Sequence, residues 1–546
     1  MATGPPRPEL TPDNAPFWEA ARAGRLSLAR CDACGRVAHP PAPVCPLCHA
    51  REISWVDVEP VGTVDSFTVN HQPSRPGLEV PHAVVLVEPD EAPGVRLTLR
   101  LVGDPADAAI GRRVRIAFEV VDDDWMVPVA EAIDEVVERH HSEPGRFTFT
   151  PRRSVARPED AAVIAGVGRS EVGRALRRSA LDLAVEASLA AVADAGLAVG
   201  DIDGIATYPG GGVGPPGYAG PGTDELAVAL GLELGWQRGG AQGAGQLQPV
   251  IDAVLAVAGG LARHVLVYRA SIESSVAAAW RDGSLALPPP QPVGGPFAWL
   301  APFDSPTPAT WLAPYATAHM HRFGTTREQL GAVALTARAH AARAPGAPMT
   351  APMTMDDYLT ARPIATPLHL LDCDVPVDGA VAVVVSAIDH ADDLDHPAVR
   401  IAAVGAGTGF APSWDQWPDL TTMAAHGAAA SMWARTDLGP ADLDVAQLYD
   451  GFSFLALFWL EALGVCGHGE AGPFVEGSER IGLGGELPLN TAGGQLSGGR
   501  LHGWGLLDEA CRQLRGEAEG RQVEGAEVAV VSAGGGPIAG CLLLTR

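Results

Sequence analysis

The chain has 546 residues, which implies two to four domains rather than one. Hydrophobic residues make up 47 % of it, enough for a substantial core, and this excludes a wholly disordered protein. Its 38 Lys+Arg against 65 Asp+Glu give a net charge of −27, which speaks against nucleic acid as a partner, because a duplex binder needs a basic face.

Residues 1–14 carry no apolar stretch of signal-peptide length, and no run of about 18 apolar residues occurs, so no membrane span is expected and a cytoplasmic location is. Residues 14–30 read as a helix, capped by Asn14 or Asp13, with Phe17, Trp18, Ala21 and Leu26 on one face. Four cysteines follow as CDAC-x10-CPLC: Cys31, Cys34, Cys45 and Cys48. Two such knuckles bring four thiolates to tetrahedral reach, a donor set suited to Zn2+. A closed four-sulfur shell leaves no open position, so this zinc is expected to be structural. Cys373, Cys466, Cys511 and Cys541 lie scattered in apolar contexts and read as ordinary buried cysteines.

Short strand patterns then occupy 62–69, 83–87, 95–101, 113–121 and 126–132, with Gly, Pro and Asp between them. Five short strands after a metal knot suggest a small OB-like β-barrel. Residues 135–159 become charged and rich in Pro and Gly and read as a linker, with a solvated pair at His140 and His141. The expected units are therefore 1–55 (helix and zinc ribbon), 56–134 (barrel), 135–159 (linker) and 160–546.

The last unit changes period. AAVIAGVG at 161–168 is a buried strand, 181–195 an Ala-rich helix, IDGIATYPG a strand, 249–263 a helix and HVLVYRAS a strand, which means α/β layers. Residues 284–310, Pro-rich and aromatic, interrupt this alternation, and excursions of that kind often shape a binding site. The pattern then restarts. VRIAAVGAG at 399–407 echoes 161–168, and GLAVGDIDGIATY echoes DLGPADLDVAQLY, with Asp201 and Asp203 matching Asp442 and Asp444. A Gly-rich loop runs into a helix in both halves, GGAQGAGQLQPV and AGGQLSGGRLHGWG. This is a duplication, with halves at about 160–395 and 396–546.

Two resemblances span nearly the whole chain. CDACGRVAHPPAPVCPLC, entered through WEAARAGRLSLARC, resembles the acyl-CoA-associated family that joins a rubredoxin-like zinc ribbon to an OB-fold. YATAHMHRFGTTREQL, ARPIATPLHLLDCDVPVDGAVAVVV, YDGF, GGQLSGG and SAGGG, in that order, resemble the lipid-transfer-protein or sterol-carrier-type branch of the thiolase superfamily. The fold implied is α/β: a duplicated five-layer thiolase body behind a zinc ribbon and an OB-like barrel.

The departures from the thiolase pattern restrict the chemistry. Where thiolases carry the nucleophilic Cys, this chain has Gly239-Gly240-Ala241-Gln242-Gly243-Ala244-Gly245; where they carry the acid–base Cys, it has Ser532. Thiolysis and Claisen condensation pass through an acyl-enzyme and need a nucleophile. A thioester pocket with oxyanion donors can still stabilise an enolate, and retro-aldol cleavage of a 3-hydroxyacyl-CoA needs only that and acid–base help. The chain is similar to the steroid side-chain-cleaving aldolases of actinobacteria, in which a Cys-less thiolase-fold subunit works with a zinc-ribbon/OB partner.

That resemblance implies Tyr449, in the place of a histidine, as the leading acid–base residue, with Asp450 and His502 to tune it. Arg500, where those aldolases often have a second tyrosine, is placed to hold the thioester oxygen or a substrate carboxylate. Gly243, Gly534, Gly535 and Gly536 are the expected oxyanion and CoA-binding backbone. Coenzyme A would enter as part of the substrate. A homodimer and an enoyl-CoA hydratase partner are implied as well. The competing readings are a non-covalent acyltransferase or C–C ligase, and a non-catalytic acyl-CoA or lipid carrier.

Overall fold

The computed structural model describes residues 4–138, 157–286, 291–408 and 413–546, apart from positions 76, 123 and 242. Most of the expected linker, with His140 and His141, lies outside them.

The first helix is shorter than its apolar pattern suggested. It spans Ala15–Arg22, and Gly24, at φ +71°, ends it in the left-handed region. Beyond that glycine the alternating leucines of LSLARC serve a strand, Leu26–Cys31, which pairs antiparallel with Val37–Ala38 and Ile53–Val58. Each cysteine knuckle closes on a residue of positive φ just past its second cysteine, Gly35 at +75° and His49 at +60°.

All five barrel strands form: Val61–Asn70, His82–Pro89, Leu97–Val102, Arg112–Asp122 and Trp125–Val136. The first and fourth also pair with each other and close the barrel, while the third and fifth run parallel, as an OB-fold requires. The fifth strand runs to Val136, two residues past the boundary drawn at 134.

The body is built on a nine-stranded sheet whose two ends mirror each other. In the first half Ala162–Arg169 pairs with Asp378–Ala387, then His264–Ile272, Gly204–Thr207 and the edge strand Trp236–Gly239. In the second, Val399–Thr408 pairs with Ile538–Thr545, then Val528–Gly535 and Val445–Gln447. The halves meet where Val399 and Arg400 face Ile164 and Val163. Burial follows the pleat. Val381, Val383, Ala529 and Val531 face a middle layer made by helices Gln248–Ala258 and Trp504–Arg515. Ala380 and Ala382 face an outer helix, Ala180–Asp194, and Val530 and Leu543 face the core that holds its counterpart, Ala424–Trp433. These are the five layers.

Matching residues do matching work in the two halves. Asp203 accepts the backbone N–H of Arg263 and His264, and Asp444 accepts those of Glu527 and Val528, each at the start of the parallel neighbour strand. Asp201 and Asp442 each accept the N–H that opens their own short turn. A Cβ on Gly168 would lie 2.2 Å from the Ala187 carbonyl oxygen, and one on Gly407 2.1 Å from that of Ala424. The outer helices lie directly on those glycines.

The described residues of the Pro-rich excursion pack against the N-terminal module. Val293 bridges Pro8, and Trp299 and Phe303 stack on Trp18, with His39 at 4.4 Å from Trp299. Residues Pro363–Thr366 extend the barrel sheet by pairing Ala365 and Thr366 with Asn70 and Val69. Arg96, ion-paired with Asp65 inside the barrel, donates to the carbonyls of Trp417 and Pro418 in the body.

Candidate active site

The Sγ atoms of Cys31, Cys34, Cys45 and Cys48 all lie within 4.8 Å of one another. Backbone N–H groups of Cys48 and Leu47 pull the Cys45 thiol down to about 6, whereas sharing protons with the neighbouring sulfurs pushes Cys48 up to about 12. Four sulfurs on two tight knuckles fit tetrahedral Zn2+, and the site is a structural zinc centre. Burial pushes Cys466 and Cys511 up to about 12, and Cys373 and Cys541 further still. None of these four is a thiolate at neutral pH.

Tyr449 follows the short strand Val445–Gln447, at the end of the second half's sheet. Its N–H donates to Ser532 Oγ at 2.9 Å, so the serine in the acid–base slot holds backbone. Burial drives the Tyr449 phenol well above 10, with Asp374 and Tyr218 adding to the shift. The nitrogen of the Gln495 carboxamide is buried with no hydrogen-bond partner among the described residues, and Gln495 is a neighbour that favours the phenolate.

Asp450 is fully buried, and its carboxylate accepts the N–H of Gln495 at 2.8 Å and of Leu496 at 3.5 Å. A Cβ on Gly494 would stand 2.0 Å from Asp450 Oδ2, so only glycine admits this contact. Burial nevertheless lifts the Asp450 carboxyl to about 7.

Arg500 is held by two carboxylates. Nη1 donates to Asp374 Oδ1 and Nη2 to Glu273 Oε1, both at 3.0 Å. Burial disfavours its charge, but the two acids keep it firmly protonated. Nε has no partner among the described residues. The two ion pairs use two of the five guanidinium N–H groups, and the Nε–H and one hydrogen on each Nη remain.

His502, at φ +55°, has its Nδ1 facing Arg269 Nη2 at 3.0 Å and its Nε2 facing Glu273 Oε2 at 3.4 Å. An arginine can only donate, so Nδ1 is the acceptor and the proton sits on Nε2. Burial, with Arg269 and Arg500 beside it, holds His502 neutral, well below 6.5. Tyr218 stands edge-on to this imidazole at 4.7 Å, and its hydroxyl meets that of Tyr208 at 3.1 Å.

The glycine loops meet beside this cluster. Gly243, Gly534 and Gly536 have φ of +79°, +76° and +58°, and Gly535 +157°. A Cβ on Gly534 would lie 3.4 Å from Gln246 Oε1, a buried oxygen with no hydrogen-bond partner among the described residues. Two donors here are already committed: Ala244 N–H to Gln248 Oε1 at 2.6 Å, and Gly536 N–H to Met423 Sδ at 3.0 Å. Gly536 therefore acts as a turn residue packed under Trp414, not as a free oxyanion donor.

Tyr449, Asp450, Arg500 and His502 thus converge, as their order in the chain suggested. Sequence reasoning missed Asp374, Glu273, Arg269, Tyr218 and Gln495. The DCD run at 372–374 and the GGQLSGG motif hold two of them; Tyr218, Arg269 and Glu273 carry no local signal.

The cluster lies in a thiolase-like body, and no cysteine occupies either thiolase cysteine position. Family models match residues 18–54 (ChsH2, rubredoxin-like zinc ribbon domain), 55–119 (ChsH2, C-terminal OB-fold domain) and 410–542 (thiolase C-terminal domain-like). A steroid side-chain-cleaving aldolase of Thermomonospora curvata is 36% identical over 397 residues, 70% of this chain and 97% of the relative. The chain belongs to this aldolase family. A 17-hydroxy-3-oxo-4-pregnene-20-carboxyl-CoA lyase of Mycobacterium tuberculosis is also 36% identical, over 70% of the chain and 98% of the lyase. A solved structure of an Ltp2-ChsH2(DUF35) aldolase superposes with TM-score 0.62 at 35% identity, covering 71% of this chain and 98% of that one. Over 125 residues, 23% of this chain, it is 40% identical to 39% of a probable enoyl-CoA hydratase alpha subunit of Thermomonospora curvata. This chain carries the zinc ribbon, the OB-fold and the thiolase-like domain in one polypeptide.

Proposed function

We propose that the chain cleaves a 3-hydroxyacyl-CoA by a retro-aldol step, giving a ketone or aldehyde and an acyl-CoA. The observation that carries this reading is Tyr449: a phenol kept protonated in a buried cleft, where a covalent catalyst would need a thiolate. Loss of the hydroxyl proton lets the C–O electrons form the carbonyl. The Cα–Cβ pair becomes the thioester enolate, and Tyr449 donates the proton that quenches it at Cα. N–H groups of Gly243, Gly534 and Gly535 lie on the loops suited to hold the enolate oxygen. Asp450 and His502 set the loops around the phenol, and Arg500 fixes two acids beside it.

The relatives' names support an acyl-CoA substrate, and the lyase's name suggests a carboxyl-CoA side chain on a steroid. The exposed edge strand Trp236–Gly239, with Leu255 and Leu261 half exposed beyond it, supports a homodimer. The likeness of 125 residues to a probable enoyl-CoA hydratase alpha subunit supports docking of an enoyl-CoA hydratase, which would make the 3-hydroxyacyl-CoA. No described helix is long and apolar enough to cross a membrane, and zinc-bound reduced thiols support a cytoplasmic location.

The test is to incubate the purified chain with a 3-hydroxyacyl-CoA and follow free carbonyl and acyl-CoA together. Tyr449→Phe should lower kcat by about 10²-fold or more. A wild-type chain that releases no carbonyl, or that traps a covalent acyl adduct, would sink the reading.

A further inference from the structure

The cleft must also contain a base. Four side chains could serve, and three are committed. Both oxygens of Asp450 hold backbone N–H groups. Both ring nitrogens of His502 face partners. Glu273 gives Oε1 to Arg500, while its Oε2 faces His502 and accepts from Ser271 Oγ at 3.3 Å.

Asp374 differs. Its backbone is clamped between the two catalytic loops: Asp374 N–H donates to Gly451 O, Val375 N–H to Gln495 O, and Arg500 N–H to Val375 O. Arg500 fixes Oδ1, but Oδ2 has no hydrogen-bond partner among the described residues. The place a Cβ on Gly451 would occupy lies 3.6 Å from Asp374 Oδ2, 2.9 Å from Tyr449 Cε1 and 3.5 Å from its Cζ. The carboxylate oxygen and the phenol ring thus both border Gly451, at a point where any side chain would collide with the ring. The side chain is 10% exposed, so bulk water is largely kept from it.

From this geometry we propose that Asp374 is the general base that takes the proton of the substrate hydroxyl. The proposal rests on the retro-aldol reading and completes its proton cycle. Asp374 carboxylate accepts the hydroxyl proton as the Cα–Cβ bond breaks. Tyr449 gives its proton to the enolate carbon. The carboxylic acid then returns its proton to the phenolate. No proton is gained or lost, and no electron acceptor is needed.

The electrostatics suit the two roles. Burial lifts the Asp374 carboxyl, Arg500 pulls it back and Glu273 pushes it up, leaving it at about 6. Tyr449, Asp450 and Cys373 are the other titratable groups that feel its charge. A carboxyl near 6 beside a phenol well above 10 is a base–acid pair separated by its surroundings. The base form exists above about 6, so activity should rise with pH through that value.

The test measures carbonyl release from a 3-hydroxyacyl-CoA between pH 5 and 9 for wild type, Asp374→Asn and Glu273→Gln. Wild-type kcat/KM should climb through an acidic limb near 6. Asp374→Asn should lose about 10²-fold or more in kcat and show no such limb, while still binding acyl-CoA. Glu273→Gln removes a repelling charge and should move the limb to lower pH. Asp374→Asn within tenfold of wild type, with its limb intact, overturns the assignment and leaves the retro-aldol reading standing. If that variant does not fold, an unmoved limb in Glu273→Gln overturns the assignment instead. A wild type that releases no carbonyl overturns both.

Discussion

Arg500 looks from its position like a substrate clamp, yet its two Nη atoms are bound by Asp374 and Glu273. The pair network is 24%, 10% and 17% exposed at the three side chains, so solvent screens it only in part. Replacing Arg500 by Met would leave two neighbouring acids without a counter-charge. Breaking a buried pair in this way costs about 3 kcal/mol, and the thermal unfolding midpoint should fall accordingly. The same change removes the charge that lowers the Asp374 carboxyl, so the acidic limb of activity should move to higher pH. An unchanged midpoint and limb would mean that Arg500 is held by something other than these acids. His502 belongs to the same network. Its neutral state comes from burial and two guanidinium neighbours, which excludes it as an imidazolium acid at working pH.

The elements show the duplication as a repeated physical device. In each half an Ala-rich outer helix rests on two glycines of the first strand, Gly166 and Gly168 in one, Gly405 and Gly407 in the other. A methyl at Gly168 or Gly407 would collide with a helix carbonyl at 2.2 or 2.1 Å, so the helix must lift. Gly168→Ala and Gly407→Ala should each cost about 1–3 kcal/mol, typical of overpacking, and by similar amounts. Chemical unfolding of the two variants checks this; a tolerated change in one half alone would show that the halves have diverged in packing.

At the scale of the whole molecule, the zinc ribbon and barrel are welded to the body by three different contacts. An aromatic cluster joins Trp18 to Trp299 and Phe303, a strand from the body extends the barrel sheet, and Arg96 reaches from the barrel core to the carbonyls of Trp417 and Pro418. The last contact also touches the site, because the same segment carries Trp414, which covers Gly536, and Met423, which accepts its N–H. Arg96→Leu should therefore raise proteolytic cleavage between barrel and body and lower turnover together, although Arg96 is remote from the phenol. Cleavage and turnover both matching wild type would show the clamp to be dispensable.

Much of this was legible in the chain because it is written locally. The CxxC spacing fixes four donors within a few residues of each other, and the five barrel strands alternate with period two between turn residues. The repeated Asp-x-Asp and Gly-x-Gly patterns exposed the duplication, since each serves a contact made within its own half. The missing cysteines were equally plain, and they removed acyl-enzyme chemistry before any fold was known. The tertiary structure decided what depends on approach across the fold. Leucines of the first helix pattern went to a strand because Gly24 turned the chain. Asp374, from a segment some 75 residues before Tyr449, became the neighbour of the phenol only when two loops clamped it there. Whether a buried carboxylate keeps a free oxygen, or a histidine keeps a free nitrogen, is set by what surrounds it from every side, and sequence spacing carries no record of that.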